Sequence, residues 1–341
     1  MVEAREQRAL AIRRITDATG RVADDKTIVN SLIGSTGLSR EGVELAFAEC
    51  LETYPSDEEI LTMVDRASTA KRVHVILSAN VFTAPLRAIA WARATAPKVS
   101  VSISSREPVF ATALLNSIAN PTIFKADREV LERLEPDDEV HVYGRAHTIE
   151  AVRARAPAGV IVRAHGPGFG VACIADSDDL EAAATALASD VVVFDQRGCL
   201  SPRVAFVAGD AARATAFAKA LASALEISAT HVPRGALAPD EAAEAARYVE
   251  TMRFAGEAFV GASSVVGTSA GLVLPPTGRH VHVVAFARRA EIVSTLRDAL
   301  PFVTTAGTSD REIASSFPVA VRVAALGQMQ NPPFDGPVDL R

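Results

Sequence analysis

From Lys71 onward, short apolar runs alternate with longer amphipathic stretches. The runs at 73–77, 99–103, 139–143, 159–162, 171–174 and 191–194 are rich in Val and Ile and have the length of buried strands. The stretches 85–95, 108–118, 148–156 and 178–188 lie between them and predict helices. Strands separated by helices cannot pair through hairpins, so the pattern predicts a mostly parallel, doubly wound α/β sheet. Residues 1–69 read as helical. Here 5–18 is an amphipathic run, Ser39 caps a second helix, and Ser56-Asp-Glu-Glu59 is a capping box that opens a third. After Cys199 a second α/β stretch follows, with strand 203–208, helix 211–225, a long helix at 241–254, and strands 280–286 and 319–324. No linker rich in Pro, Gly or Ser separates the two halves. The boundary near residue 190 therefore rests on the change of pattern alone.

Composition narrows the function classes. A chain of 341 residues amounts to about two domains at roughly 150 residues each. The net charge of −6 and pI near 5.7 argue against a nucleic-acid partner, which needs clustered Lys and Arg. Residues 1–14 are charged throughout and lack the apolar core of a signal peptide. The uncharged stretch 258–278 is long enough to span a bilayer, but its Gly, Ser and Thr and the pair Pro275-Pro276 read as buried strands and turns. The three cysteines, Cys50, Cys173 and Cys199, form no disulfide framework and no metal-ligand spacing. The expectation is a reduced, cytoplasmic protein with no membrane span and no metal.

Candidate chemistry centres on 191–202, where an apolar strand is expected to end in the polar turn Asp195-Gln-Arg-Gly-Cys199 before Ser201-Pro202 opens the next strand. Ligands collect beyond strand ends in open α/β sheets, so Cys199 stands where a nucleophile would, or is an ordinary half-buried thiol. Arg197 would favour its thiolate if it points inward. Cys173, in an apolar strand, and Cys50, on a helix, read as core. The cluster His165-Gly-Pro-Gly-Phe-Gly170 fails the G-x-G-x-x-G pattern, because position 171 is Val, and reads as a tight turn between strands. His74, His141, His280 and His282 alternate with apolar residues and read as structural. His165 is left as a candidate general acid or base. The run Asp176-Ser-Asp-Asp179 suits a helix N-terminus. Gly144-Arg145, between a strand and a helix, is either a phosphate-binding turn or a solvated one.

Several of these stretches, in chain order, resemble the LuxC-type acyl-CoA reductases, a branch of the aldehyde dehydrogenase superfamily. Gly34-Ser-Thr-Gly-Leu-Ser-Arg-Glu-Gly42 resembles the family's N-terminal signature, Asp195–Pro202 its nucleophile loop, and Leu326-Gly-Gln-Met-Gln-Asn-Pro-Pro333 its C-terminal motif. The resemblance implies an aldehyde-dehydrogenase-like α/β fold. Its parts would be a helical segment 1–69, an NAD(P)-binding domain 70–190, a catalytic domain 191–317 and a C-terminal segment 318–341 returning to the cofactor domain. It implies that Cys199 attacks the thioester of an acyl-CoA or other acyl thioester, that Asn80 serves the oxyanion hole, and that NADPH reduces the acyl-enzyme to the aldehyde. By position, Ser102, Ser104, Ser105 and Arg106 match the segment that holds the adenosine ribose, with Arg106 suited to a 2′-phosphate. Gly144 and Arg145 match the turn near the pyrophosphate. An acyl-donating partner protein and a homo-oligomer are further implications. The sequence departs from the superfamily in two places. Ser102 stands where many members carry Lys, and the general-base Glu of the hydrolytic dehydrogenases is missing near Ala164 and His165. Such a base would activate water and waste the acyl-enzyme, so its loss suits a reductase. The chain is also short for the family. An acylating aldehyde dehydrogenase and a catalytically inactive scaffold protein are the alternatives.

Overall fold

The computed structural model describes residues 2–341, so Met1 at the head of the first expected segment lies outside it. The chain divides into two compact units, each built around its own sheet.

The first unit comprises the residues up to Thr36, Cys50–Pro167 and Pro333–Asp339. Helices α1 (Val2–Ala23) and α2 (Lys26–Thr36) open it; α3 (Arg40–Cys50) belongs to the second unit except for its last residue, and α4 (Asp57–Arg66), back in the first, begins at a complete capping box. There Glu59 N–H donates to Ser56 Oγ at 3.2 Å and Ser56 N–H donates to the Glu59 carboxylate at 2.8 Å. Strands β1 (Arg72–Ile76), β2 (Lys98–Ser102), β3 (Ile123–Lys125), β4 (Glu139–Tyr143) and β5 (Ile161–His165) then alternate with α5 (Ala84–Thr95), α6 (Val109–Ile118) and α7 (Ala146–Arg155). The spatial order β3-β2-β1-β4-β5 is parallel throughout. The strand order reverses at β1, and the loops after β1, β2 and β4 share the carboxyl edge of the sheet.

The second unit comprises Gly37–Glu49, Gly168–Pro332 and the last two residues. Its strands are β6 (Phe169–Ile174), β7 (Pro202–Ala208), β8 (Glu257–Val260), β9 (Val265–Thr268), β10 (His280–Phe286), β11 (Val303–Gly307) and β12 (Arg322–Ala324). They lie in the order β12-β11-β6-β7-β10-β9-β8, parallel except for β8 against β9. Helices α8 (Leu180–Val192) and α9 (Ala211–His231) cover one face, over Ile174, Val207, Val281 and Val283. The other face carries Phe169, Val171, Cys173, Val204, Phe206 and Phe286. It packs against α11 (Ala290–Leu296) and α12 (Arg311–Ala314), while Tyr248 and Met252 of α10 (Pro239–Ala255) cover Val265 near the β8 edge.

Three expectations are corrected here. The division expected near residue 190 falls between Pro167 and Gly168, because β6 pairs with β7 and β11 rather than with β5. The run 191–194 is not a strand. Buried Ala183, Ala184, Leu187 and Ala188 continue at helical spacing into Val191 and Val192, so α8 extends through them and a single tight turn, Val193–Gln196, follows. Likewise 319–324 is a strand only over its last three residues.

Candidate functional site

The carboxyl edge of the first sheet gathers most of the residues expected to hold a cofactor. Asn80 is exposed in the turn after β1, and its Oδ1 accepts from Arg106 Nη2 at 3.5 Å. Ser104 is half-buried, and Ser105 and Arg106 are exposed in the loop after β2. The Arg106 N–H donates to Ser104 Oγ at 3.3 Å, which shapes that loop.

Ser102 does not belong to this group. It is buried at the end of β2, its hydroxyl donates to the Ala126 carbonyl at 2.9 Å, and it lies 3.2 Å from His74 Nε2. The hydroxyl expected to meet a ribose is therefore used inside the sheet. His74 Nδ1 lies 2.8 Å from Ser100 Oγ, and burial pushes its pKa down to about 4, so the imidazole is a neutral bridge.

The helix N-termini at this edge differ in a way that sorts them. At α6 the buried Glu107 carboxylate accepts from the Val109 and Phe110 N–H groups at 2.8 and 3.4 Å, and burial raises its pKa. That terminus is already filled by an acid. No side chain caps α7, and exposed Arg145 precedes it. A dinucleotide phosphate fits the second terminus and not the first. Gly144 contributes less than expected, since its N–H already donates to the His165 carbonyl at 3.1 Å. His165 ends β5, with its ring stacked on Tyr143 at 4.4 Å.

In the second unit the sequence from α8 to β7 builds a strained turn around Cys199. Phe194, Asp195 and Gln196 all have left-handed backbone, at φ 53°, 49° and 64°. Each costs on the order of 1 kcal/mol without glycine, so the turn needs outside support. Asp195 supplies part of it. Its carboxylate accepts from the Gly235 N–H at 3.0 Å and pairs with Arg279 at 2.7 Å, both side chains being almost fully buried. Gln196 supplies the rest. Its Nε2 donates to the Pro202 and His280 carbonyls at 2.7 Å each, and its Oε1 accepts the His280 N–H at 2.8 Å.

Cys199 itself is half-exposed, at the second position of a turn closed by Ser201 N–H to the Gly198 carbonyl at 3.1 Å. The Thr304 hydroxyl donates to the Cys199 carbonyl. Gly170 admits the turn closely: a Cβ there would lie 2.4 Å from the Leu200 carbonyl oxygen. Cys50 and Cys173 are buried, and burial raises the Cys173 thiol. The guanidinium of Arg197 has partners of its own. It pairs with the Glu241 carboxylate at 3.2–3.3 Å and donates to the Ala236 carbonyl at 3.2 Å.

The C-terminal motif clamps the same turn from behind. Asp190, at the end of α8, accepts the Gly327 and Met329 N–H groups at 2.6 and 2.9 Å. Burial pushes its pKa up to about 7 against the lowering effect of those donors. Gln330 Nε2 bridges the Asp190 carbonyl, at 3.0 Å, and Ser201 Oγ, at 3.2 Å. The local sequence pattern does not single out Asp190, Arg279 or Thr304. The one local hint was Gly278-Arg279, a charge at the mouth of an apolar strand. Among the described residues no cluster of His, Cys, Asp or Glu could hold a metal, and no helix is long and apolar enough to cross a membrane.

Against this geometry stand the comparisons with known proteins. The sequence profile of the acyl-CoA reductase (LuxC) family matches residues 44–340. No curated protein matches. Solved aldehyde dehydrogenases share the fold. A benzaldehyde dehydrogenase from Corynebacterium glutamicum, 16% identical, superposes with a TM-score of 0.72 over 93% of this chain and 80% of its own. Lactaldehyde dehydrogenase from Escherichia coli, 18% identical, gives 0.66 over 92% and 76%. An NADP-dependent glyceraldehyde-3-phosphate dehydrogenase from Bacillus halodurans, complexed with NADP and 13% identical, gives 0.70 over 94% and 79%. The fold is that of the aldehyde dehydrogenases.

Proposed function

Because the chain belongs to the acyl-CoA reductase (LuxC) family and is an oxidoreductase, we propose that it reduces an acyl-CoA to the aldehyde with NADPH, through a thioester on Cys199. The observation that carries this reading is the Cys199 turn. Three left-handed residues, a buried ion pair and the clamp of the C-terminal motif all serve to hold one half-exposed thiol.

Cys199 Sγ attacks the thioester carbonyl carbon, the carbon–sulfur bond to CoA breaks, and CoA leaves as its thiol. The oxyanion of the addition step is stabilised by the Cys199 N–H, worth roughly 3 kcal/mol. The chemistry that NADPH supplies when bound is one hydride, delivered to the acyl carbon. Release of the aldehyde restores the Cys199 thiol. Arg106 and Ser104 hold the ribose and its 2′-phosphate, and Arg145 with the open α7 terminus holds the pyrophosphate; the NADP carried by the Bacillus halodurans relative supports the choice of cofactor. Ala164 and His165 supply no carboxylate to activate water, which preserves the acyl-enzyme for reduction.

The test is Cys199→Ala. Aldehyde formation from acyl-CoA and NADPH is abolished while NADPH binding, followed by fluorescence titration, survives. Undiminished turnover in this variant overturns the reading.

A further inference from the structure

The strand that leaves the Cys199 turn carries an arginine with an incomplete set of partners. β7 pairs Pro202 with Gly170 and Val204 with Val171, which leaves Arg203 as the extra residue of a bulge. It stands four residues from Cys199, a chain length of at most about 14 Å. Its guanidinium lies 5.8 Å from the centre of the Phe169 ring. The Thr304 hydroxyl joins the Phe169 carbonyl, at 3.2 Å, to that of Cys199, so Arg203 is coupled to the nucleophile's turn through two contacts.

Arg203 Nη2 donates to the Pro275 carbonyl, but the buried Nε has no hydrogen-bond partner. Among the described residues no carboxylate lies within ion-pair distance of it, and Glu244 acts on it only through space. A second cation, Arg234, acts on the same neighbourhood. Buried His280, two residues before the β10 position that pairs with Val204, has no partner at either ring nitrogen and lies in the field of both Arg234 and Arg203. A half-buried cation with an unfilled donor and no carboxylate in contact is costly by itself and is relieved by an anion. Arg203 as a whole is half-buried, while its Nε is fully buried.

We propose that Arg203 binds a carboxylate or phosphate group carried by the acyl donor. This rests on Cys199 as the acyl acceptor. The experiment compares glutaryl-CoA and hexanoyl-CoA with the corresponding N-acetylcysteamine thioesters, which lack the nucleotide, on the native chain, Arg203→Gln and Arg203→Lys. Loss of one charge-assisted contact lowers kcat/KM for the anionic donor by roughly 10–100-fold relative to the neutral one in Arg203→Gln, with partial recovery in Arg203→Lys. A loss that follows glutaryl on either carrier assigns the acyl carboxylate. A loss that follows CoA with either acyl group assigns the phosphates. Equal losses on all four donors, or none, overturn the subsite and leave Cys199 untouched. Absence of an acyl adduct on Cys199 with every donor overturns the catalytic reading and the subsite together.

Discussion

The Arg279 guanidinium and the Asp195 carboxylate meet at 2.7 Å with 1% and 2% of their side chains exposed, and Asp195 stands four residues before the Cys199 thiol. Removing one partner of a buried pair strands the other charge. Arg279→Met is therefore expected to cost about 3–5 kcal/mol in urea unfolding. The double variant with Asp195→Asn costs less than the two single changes added together, because no unpaired charge remains. Strict additivity would contradict the pairing.

Gly170 sets how closely the turn approaches β6. In Gly170→Ala the new methyl meets the Leu200 carbonyl oxygen at 2.4 Å and Met329 Cε at 2.8 Å. The side chain can give way and the backbone oxygen cannot. A loss of about 1–3 kcal/mol in unfolding free energy is expected, together with a changed rate of Cys199 alkylation by iodoacetamide. Adding Met329→Ala should not restore either quantity.

Acid sensitivity follows from three histidines. His74, His280 and His282 are buried, and burial pushes each down to about 4 from an ordinary 6.5. The folded values lie below the unfolded one, so the unfolded chain takes up protons first as pH falls. Their contribution is complete above pH 6.5 and is lost toward pH 4, with a slope of up to roughly 4 kcal/mol per pH unit. Glu139 adds a second loss, from pH 4.5 toward 2. Burial would raise it, but hydrogen bonds from His141, Arg163 and Ser68 hold it near 2. Urea midpoints measured from pH 7.5 to 4.5 check the first range. A flat profile there would contradict the neutral, buried imidazoles.

Arg106 is exposed beside Asn80 at the sheet edge. Arg106→Ser is expected to raise KM for NADPH about 10–100-fold while changing KM for NADH little, as loss of one charge-assisted phosphate contact requires. Equal changes for both cofactors would remove Arg106 from the 2′-phosphate.

What could be read from the sequence was what neighbouring residues decide. β1, β2 and β4 are short apolar runs bounded by helices, and the Ser56 capping box lies within four residues; both were visible. The run 191–194 reads as a strand in the sequence because four apolar residues look alike on a buried helix face and in a strand. Cys199 stood out by its turn chemistry. The residues that hold its turn did not, since Asp195 and Arg279 are 84 positions apart and Asp190 meets Met329 across 139. Ser102 failed for the same reason. A serine after a strand suits a sugar hydroxyl until His74, 28 positions away, is known to lie against it.

The most direct measurement is intact-protein and peptide mass spectrometry after incubation with hexanoyl-CoA, with and without NADPH. The account predicts one hexanoyl adduct, on Cys199, without NADPH, and its discharge as hexanal when NADPH is added. An unmodified Cys199 under both conditions, or an adduct on Cys50 or Cys173 instead, would contradict it.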